Sequence, residues 1–161
     1  LINDALDETK NIYQDLMPSI LHDFGIVPAI GQLCKTFEKN SHIKIQLNAK
    51  HYTYKCSLKL KLCLYRILQY GLNNIRKHAQ ATEVEIQLFN SEHSLFLIIE
   101  DNGTGFNHKG KGKDNVTFGL TGIQERVREF NGKVNFNSTI NIGTEIIIEV
   151  PLPKKKRQII K

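Results

Sequence analysis

Apolar positions recur along this chain with two different periods. Over residues 2–17, Ile2, Ala5, Thr9, Ile12 and Leu16 fall three or four apart, a helical stripe. It suits either one strand of a helical dimer interface or a helix packed on its own domain. Pro18, Gly25 and Pro28 interrupt the pattern. A second helix is predicted over 27–40 on Ile30, Leu33 and Phe37, and the longest over 57–78 on Leu64, Leu68, Leu72 and Ile75. On that long helix Tyr70, Asn74, Lys77 and His78 share another face. Alternation marks strands at Ile43/Ile45/Leu47, Val84/Ile86/Leu88, Val134/Phe136 and Ile146/Ile148/Val150, with a more buried strand over 95–100. Residues 102–116, with four glycines and three lysines, break both periods and read as a mobile loop. A helix is expected behind it, from Gly119 to about Phe130, closed by Asn131-Gly132.

Strands polar on one side and amphipathic helices point to an α+β protein, a two-layer sandwich with helices on one sheet face. An N-terminal helical segment precedes it. No internal repeat is present, and the Gly-rich segment comes too late for a doubly wound dinucleotide fold.

Composition narrows the classes. The 161 residues suit one domain plus extra helix, and 40% hydrophobic with four prolines suits a packed core. No apolar run approaches the roughly 20 residues that span a bilayer, so no membrane contact is expected of this stretch. No signal peptide is visible; the chain begins with Leu and reads as part of a larger protein. Cys34, Cys56 and Cys63 form no CxxC pair, which favours a reduced cytoplasmic setting over a disulfide or metal role. The net charge of +6 is partly local, in Lys109, Lys111 and Lys113 and in Lys154-Lys-Lys-Arg157. It would suit a nucleic acid or a triphosphate, but the basic loop lacks the interleaved aromatics that bases stack on, so no nucleic-acid partner is expected.

Four short motifs could carry chemistry. Asp101-Asn-Gly-Thr-Gly-Phe106 follows the buried strand. A carboxylate there can accept from the exocyclic amine of adenine and would repel guanine's carbonyl. Its glycines permit close approach, although the same letters make a good turn. Phe118-Gly-Leu-Thr-Gly122 is expected to open a helix, whose free N–H groups favour an anion. Asn74 could ligate Mg²⁺ through its amide oxygen, with Lys77 a turn on to meet a phosphate. Thr144, after Gly143, could fix a water against a base, or simply close a strand turn.

In this order and spacing the motifs resemble the ATP-binding domain of sensor histidine kinases, within the group that includes type II topoisomerases, Hsp90 and MutL. Asn74-Ile-Arg-Lys-His-Ala79 resembles the N box, Asp101–Phe106 the G1 box, Phe118-Gly-Leu-Thr-Gly-Ile-Gln-Glu-Arg126 the G2 box and Gly143-Thr144 the last motif. Leu64-Tyr-Arg-Ile-Leu-Gln69, Lys-His-Ala and Gly-Ile-Gln-Glu-Arg-Val127 are similar to the subfamily of nitrate and envelope-stress sensors. Leu16 to Ile26 is similar to its linker, so the match runs from about residue 10 to Pro153.

The resemblance implies the Bergerat fold, a mixed sheet with helices on one face and a lid, here about 107–117. It implies ATP and Mg²⁺ as ligands. Asp101 would read adenine, Gly103 and Gly105 would shape the base pocket, and Thr144 would support it. Asn74 would hold Mg²⁺ against the phosphates with Lys77 nearby, while Gly119 and Leu120 would cradle phosphates. Residues 1–24 would be the end of a dimerisation helix and its linker, 25–153 the ATP-binding catalytic domain, and 154–161 a basic tail. The partners implied are an upstream dimerisation helix carrying the acceptor His, a response regulator, and a second copy in the full-length protein.

One position departs. Tyr70 stands where the family usually has a Glu that acts as base or polarising group near the γ-phosphate. A phenol is a poor general base, though its hydroxyl can donate to a phosphate oxygen. Kinase and catalytically impaired nucleotide-binding module therefore both stay open. His22-Asp23 superficially resembles the acceptor motif, but Pro18, Gly25 and Pro28 forbid a long helix around it.

Overall fold

The computed structural model describes residues 19–106 and 114–153, with backbone alone over 114–120. The expected helix over 2–17, most of the proposed lid and the basic tail lie outside the described residues.

Two helices open the described fold: α1 (Ser19–Asp23) and α2 (Ile26–Ser41). Gly25 separates them at φ 89°, left-handed space that glycine enters without a β-carbon clash. Pro28 is tolerated because it sits in the first turn of α2, where its missing N–H has no partner to lose. Leu21 of α1 is fully buried and joins the main core, so α1 packs on the rest of the fold. Strand β1 (Lys44–Asn48) follows, then α3 (Leu58–Asn74), whose Ser57 cap accepts from Leu60 N–H at 3.2 Å. A single π-helical turn, Ile75–Ala79, extends α3. The chain then makes β2 (Glu83–Asn90), β3 (Ser94–Asp101), α4 (Asp114–Arg128), β4 (Lys133–Thr139) and β5 (Gly143–Pro151).

The five strands form one mixed sheet, ordered β1-β2-β3-β5-β4, with β1 and β2 parallel and the remaining pairs antiparallel. Alternation decides which side is covered. Ile86, Leu88, Leu97, Ile99, Ile146 and Ile148 face the helices and are buried against Ile30, Leu64, Leu68 and Leu72. The other face carries Glu85, Glu100 and Glu145 directly opposite one another on three adjacent strands. The architecture is the expected α+β two-layer sandwich. Edge strand β1 is partly closed by Glu38 of α2, whose Oε1 accepts from Ile45 N–H at 2.7 Å. Gly71 lets α3 lie close to β3: a β carbon there would stand 3.2 Å from Ile99 Cδ1.

Two expectations need correction. The helix expected to begin at Gly119 begins at Asp114 instead. Acidic residue types are favoured in the first turn of a helix, and the helix opens with Asp114 in its sequence. Gly119 and Leu120 therefore lie in the second turn, and the free N–H groups belong to residues nearer Asp114. The long helix also does not stay α-helical to residue 78. Tyr70 and Asn74 share a face one turn apart, but the i→i+5 turn that follows shifts Lys77 and His78 out of the α-helical spacing.

Candidate functional site

The covered sheet face is apolar until its last row. There β3, β5 and β4 place Asp101, Thr144 and Ser138 side by side, where the row before has Ile99, Ile146 and Phe136. Asp101 is 6% exposed and is the one charged or polar side chain classed as buried among the described residues. Burial pushes its carboxyl above the usual carboxylate range, and backbone N–H groups of Gly103 and Thr144 pull the other way. The Gly103 N–H reaches Asp101 Oδ1 at 2.8 Å. An acceptor is thus held ready at the edge of an apolar layer.

The loop that follows is pinned on three sides. Thr104 N–H donates to the Ala79 carbonyl at 2.7 Å, so the loop docks on the end of the π turn. A β carbon on Gly103 would collide with the same carbonyl. Asn102 Oδ1 accepts from Thr82 and Glu83 N–H at 2.9 and 3.0 Å, fixing the loop to the start of β2. On the far side Asn141 N–H donates to Thr104 O at 2.7 Å. Gly105, at φ 57°, fits under the carbonyls of Thr139 and Gly143. The proposed base loop, the end of the proposed N box and the β4–β5 turn therefore form one cluster, although they are far apart in sequence.

Tyr70 and Asn74 are half-buried on α3, and Lys77 is exposed in the π turn. Asn74 is a single oxygen donor, a fit for Mg²⁺, which takes one or two protein ligands and fills the rest of its shell with water and phosphate. Among the described residues no cluster of three His, Cys, Asp or Glu could hold a metal by itself. Gly119 and Leu120 lie in α4, their side chains outside the described residues. The cysteines are apart from the site: burial drives Cys34 to about 12 and Cys63 to about 11, leaving both as inert thiols.

Three contributors were not singled out from sequence. Asn102 looked like one letter of a turn, and its signal is that Asn caps neighbouring backbone N–H groups well. Gly71 carries no local signal of its role, because its partner Ile99 lies on β3. Ser138 had no local signal, because its partners lie on β5 and the loop.

A cleft of about 530 Å³ opens along the other sheet face, lined by Gln46, Glu83, Glu85 and Glu100 with Glu38 and Lys44, and Asp101 and Asn102 also border it. Its charged lining is carboxylates apart from Lys44 and would repel a polyphosphate, so the polar row, whose Asp101 borders the cleft, is the better nucleotide candidate.

A family model described as histidine kinase-, DNA gyrase B-, and HSP90-like ATPase matches residues 60–154. The chain belongs to this ATPase family. The ATPase domain is 33% identical over 151 residues to the sensor histidine kinase ComP of Bacillus subtilis, covering 94% of this chain and 20% of that one. It is 32% identical over 152 residues to the oxygen sensor histidine kinase NreB of Staphylococcus carnosus, covering 94% and 44%. The chain thus spans less than half the length of these curated relatives. The histidine kinase AdeS of Acinetobacter baumannii shares the fold at a TM-score of 0.62 and 13% identity, covering 84% of this chain and 74% of that one. No described helix is long and apolar enough to cross a membrane.

Proposed function

We propose that this ATPase-family domain binds ATP with Mg²⁺ and is the catalytic half of a two-component sensor histidine kinase in the cytoplasm. The observation that carries the proposal is Asp101, a buried carboxylate beside Thr144 at the one polar row of an otherwise apolar face. Asp101 accepts from the adenine amine, Thr144 supports the base, and Gly103 and Gly105 let backbone approach the ring. Asn74 holds Mg²⁺ against the phosphates with Lys77 close by. The N-terminal turns of α4, which contain Gly119 and Leu120, offer backbone dipole to the phosphates. These residues bind, orient and neutralise charge, which is most of what phosphoryl transfer requires of a protein.

The γ-phosphate goes to a His on a dimerisation helix upstream of this chain and thence to a response regulator, with the full-length protein acting as a dimer. His22 is not that acceptor: it sits exposed in the five-residue α1, 2.8 Å from Asp23. In domain terms, residues 1–24 are the end of a dimerisation helix and its linker, 25–153 the ATP-binding catalytic domain and 154–161 a basic tail; Leu21 packs in the core.

The test is a longer chain that includes the upstream helix, incubated with γ-labelled ATP and Mg²⁺. Acid-labile label on that helix is the expected result. Tyr70, half-buried one turn before Asn74, motivates the second reading of a binding module without transfer. That reading gains if no label appears and Tyr70→Glu restores it. Failure to bind ATP at all would overturn both.

A further inference from the structure

Ser138 lies at the far end of the polar row, on β4, and collects three hydrogen bonds at one oxygen. Phe106 N–H donates to its Oγ at 2.8 Å. The Ser138 hydroxyl donates to the Gly143 carbonyl at 3.2 Å. Thr144 Oγ1 lies 3.0 Å away. A hydroxyl has one proton and two acceptor sites. With the Ser138 proton on Gly143 O, the bond to Thr144 must run the other way, and Thr144 is the donor. The proton of Thr144 is then committed inside the protein, and its oxygen can only accept from anything on the Asp101 side.

We infer that Ser138 is a specificity-determining positioning residue: by taking the Thr144 proton, it makes Thr144 an obligate acceptor and so biases the site toward purines bearing an amine at position 6. The inference rests on the nucleotide reading above and adds a polarity to it. Asp101 is an acceptor as well, directly opposite Thr144 across the β3–β5 pair. Two adjacent acceptors suit an amine, reached directly or through one water, and leave a 6-oxo purine facing unpaired lone pairs. The Phe106 N–H bond adds a second duty, since it holds the end of the Gly103–Gly105 loop against β4.

The experiment is calorimetric titration of this chain with ATP and, separately, GTP. The wild-type chain should prefer ATP. In Ser138→Ala, Thr144 is free to turn its proton toward the ligand, and the ATP-to-GTP preference should narrow about three- to tenfold. Ser138→Thr, which keeps the hydroxyl, should restore it. Thr144→Val should narrow the preference by itself, and adding Ser138→Ala to it should narrow it no further. A purely structural Ser138 would weaken both nucleotides in parallel with the ratio unchanged, which overturns the inference while the nucleotide reading stands. A wild-type chain that binds neither nucleotide overturns the nucleotide reading, and the inference with it. Amide exchange at Phe106 gives an independent check should Ser138→Ala prove unstable: in Ser138→Thr it should stay as slow as in wild type, and faster exchange there contradicts the bonding scheme.

Discussion

At one end of the sheet the same strands present two rows of polar side chains to opposite faces. Asp101, Thr144 and Ser138 face the helices; Glu85, Glu100, Glu145 and Asn137 face outward, one residue back along each strand. The outward row holds more carboxylates, and Glu85 and Glu100 line the wall of a cleft of about 530 Å³ that Asp101 only borders. Its hydrogen-bond partners are amides: Asn137 Nδ2 donates to Glu145 Oε2 at 2.8 Å and Gln87 Nε2 to Glu85 Oε1 at 2.9 Å, while the neighbouring charges are alike. The inward row has one carboxylate, desolvated and met by two backbone N–H groups, with each neighbour's hydrogen bonds assigned. The number of acidic groups does not make a binding site. Burial raises the cost of leaving an acceptor unpaired, and that cost is what a matching ligand relieves.

The comparison can be broken at several strengths. The largest effect is expected where the inward row depends on backbone closeness. Gly143 sits at φ 140°, and a β carbon there would collide with the Asp101 carbonyl. Gly143→Ala should cost about 2–4 kcal/mol of stability in urea unfolding. Gly31→Ala on α2, with nothing within 4 Å, should be neutral or stabilise by up to about 1 kcal/mol. A smaller effect concerns pH. Burial leaves Asp101 with a higher pKa folded than unfolded, so the folded state holds that proton more tightly. Its contribution to stability is complete below the ordinary value of 3.8 and is lost as pH rises through the folded value. Asp101→Asn should therefore gain stability relative to wild type as pH rises from below 3.8 through the folded value, measured as the difference between paired denaturant melts. The smallest effect belongs to the outward row. Glu100→Gln with Glu145→Gln removes facing like charges and should stabilise by about 0.2–1 kcal/mol, with the gain shrinking as salt is added.

Most of the fold was legible because each element carries its own period. The strands at Val84/Ile86/Leu88 and Ile146/Ile148/Val150 needed only alternation, and α2 and α3 only a stripe. Two boundaries were not legible for local reasons. Asp114 looked like part of a Gly- and Lys-rich loop, and helix propensity over so short a stretch is weak beside the packing of α4 on β4 and the core through Ile123 and Val127. The π turn after Asn74 inserts a residue per turn without any sequence mark. In the candidate site, Asp101, Gly103, Gly105 and Thr144 could be singled out because resemblance names their motifs. Ser138 and Gly71 act only through partners brought together by folding, Thr144 and Phe106 for the one and Ile99 for the other.

The central claim is that the inward carboxylate, and not the outward ones, reads the ligand. Calorimetry of ATP binding by Asp101→Asn and Glu100→Gln tests it directly. The account predicts affinity about tenfold to a hundredfold weaker for Asp101→Asn and within about twofold of wild type for Glu100→Gln. Unchanged affinity in Asp101→Asn, or an equal loss in both variants, would contradict it.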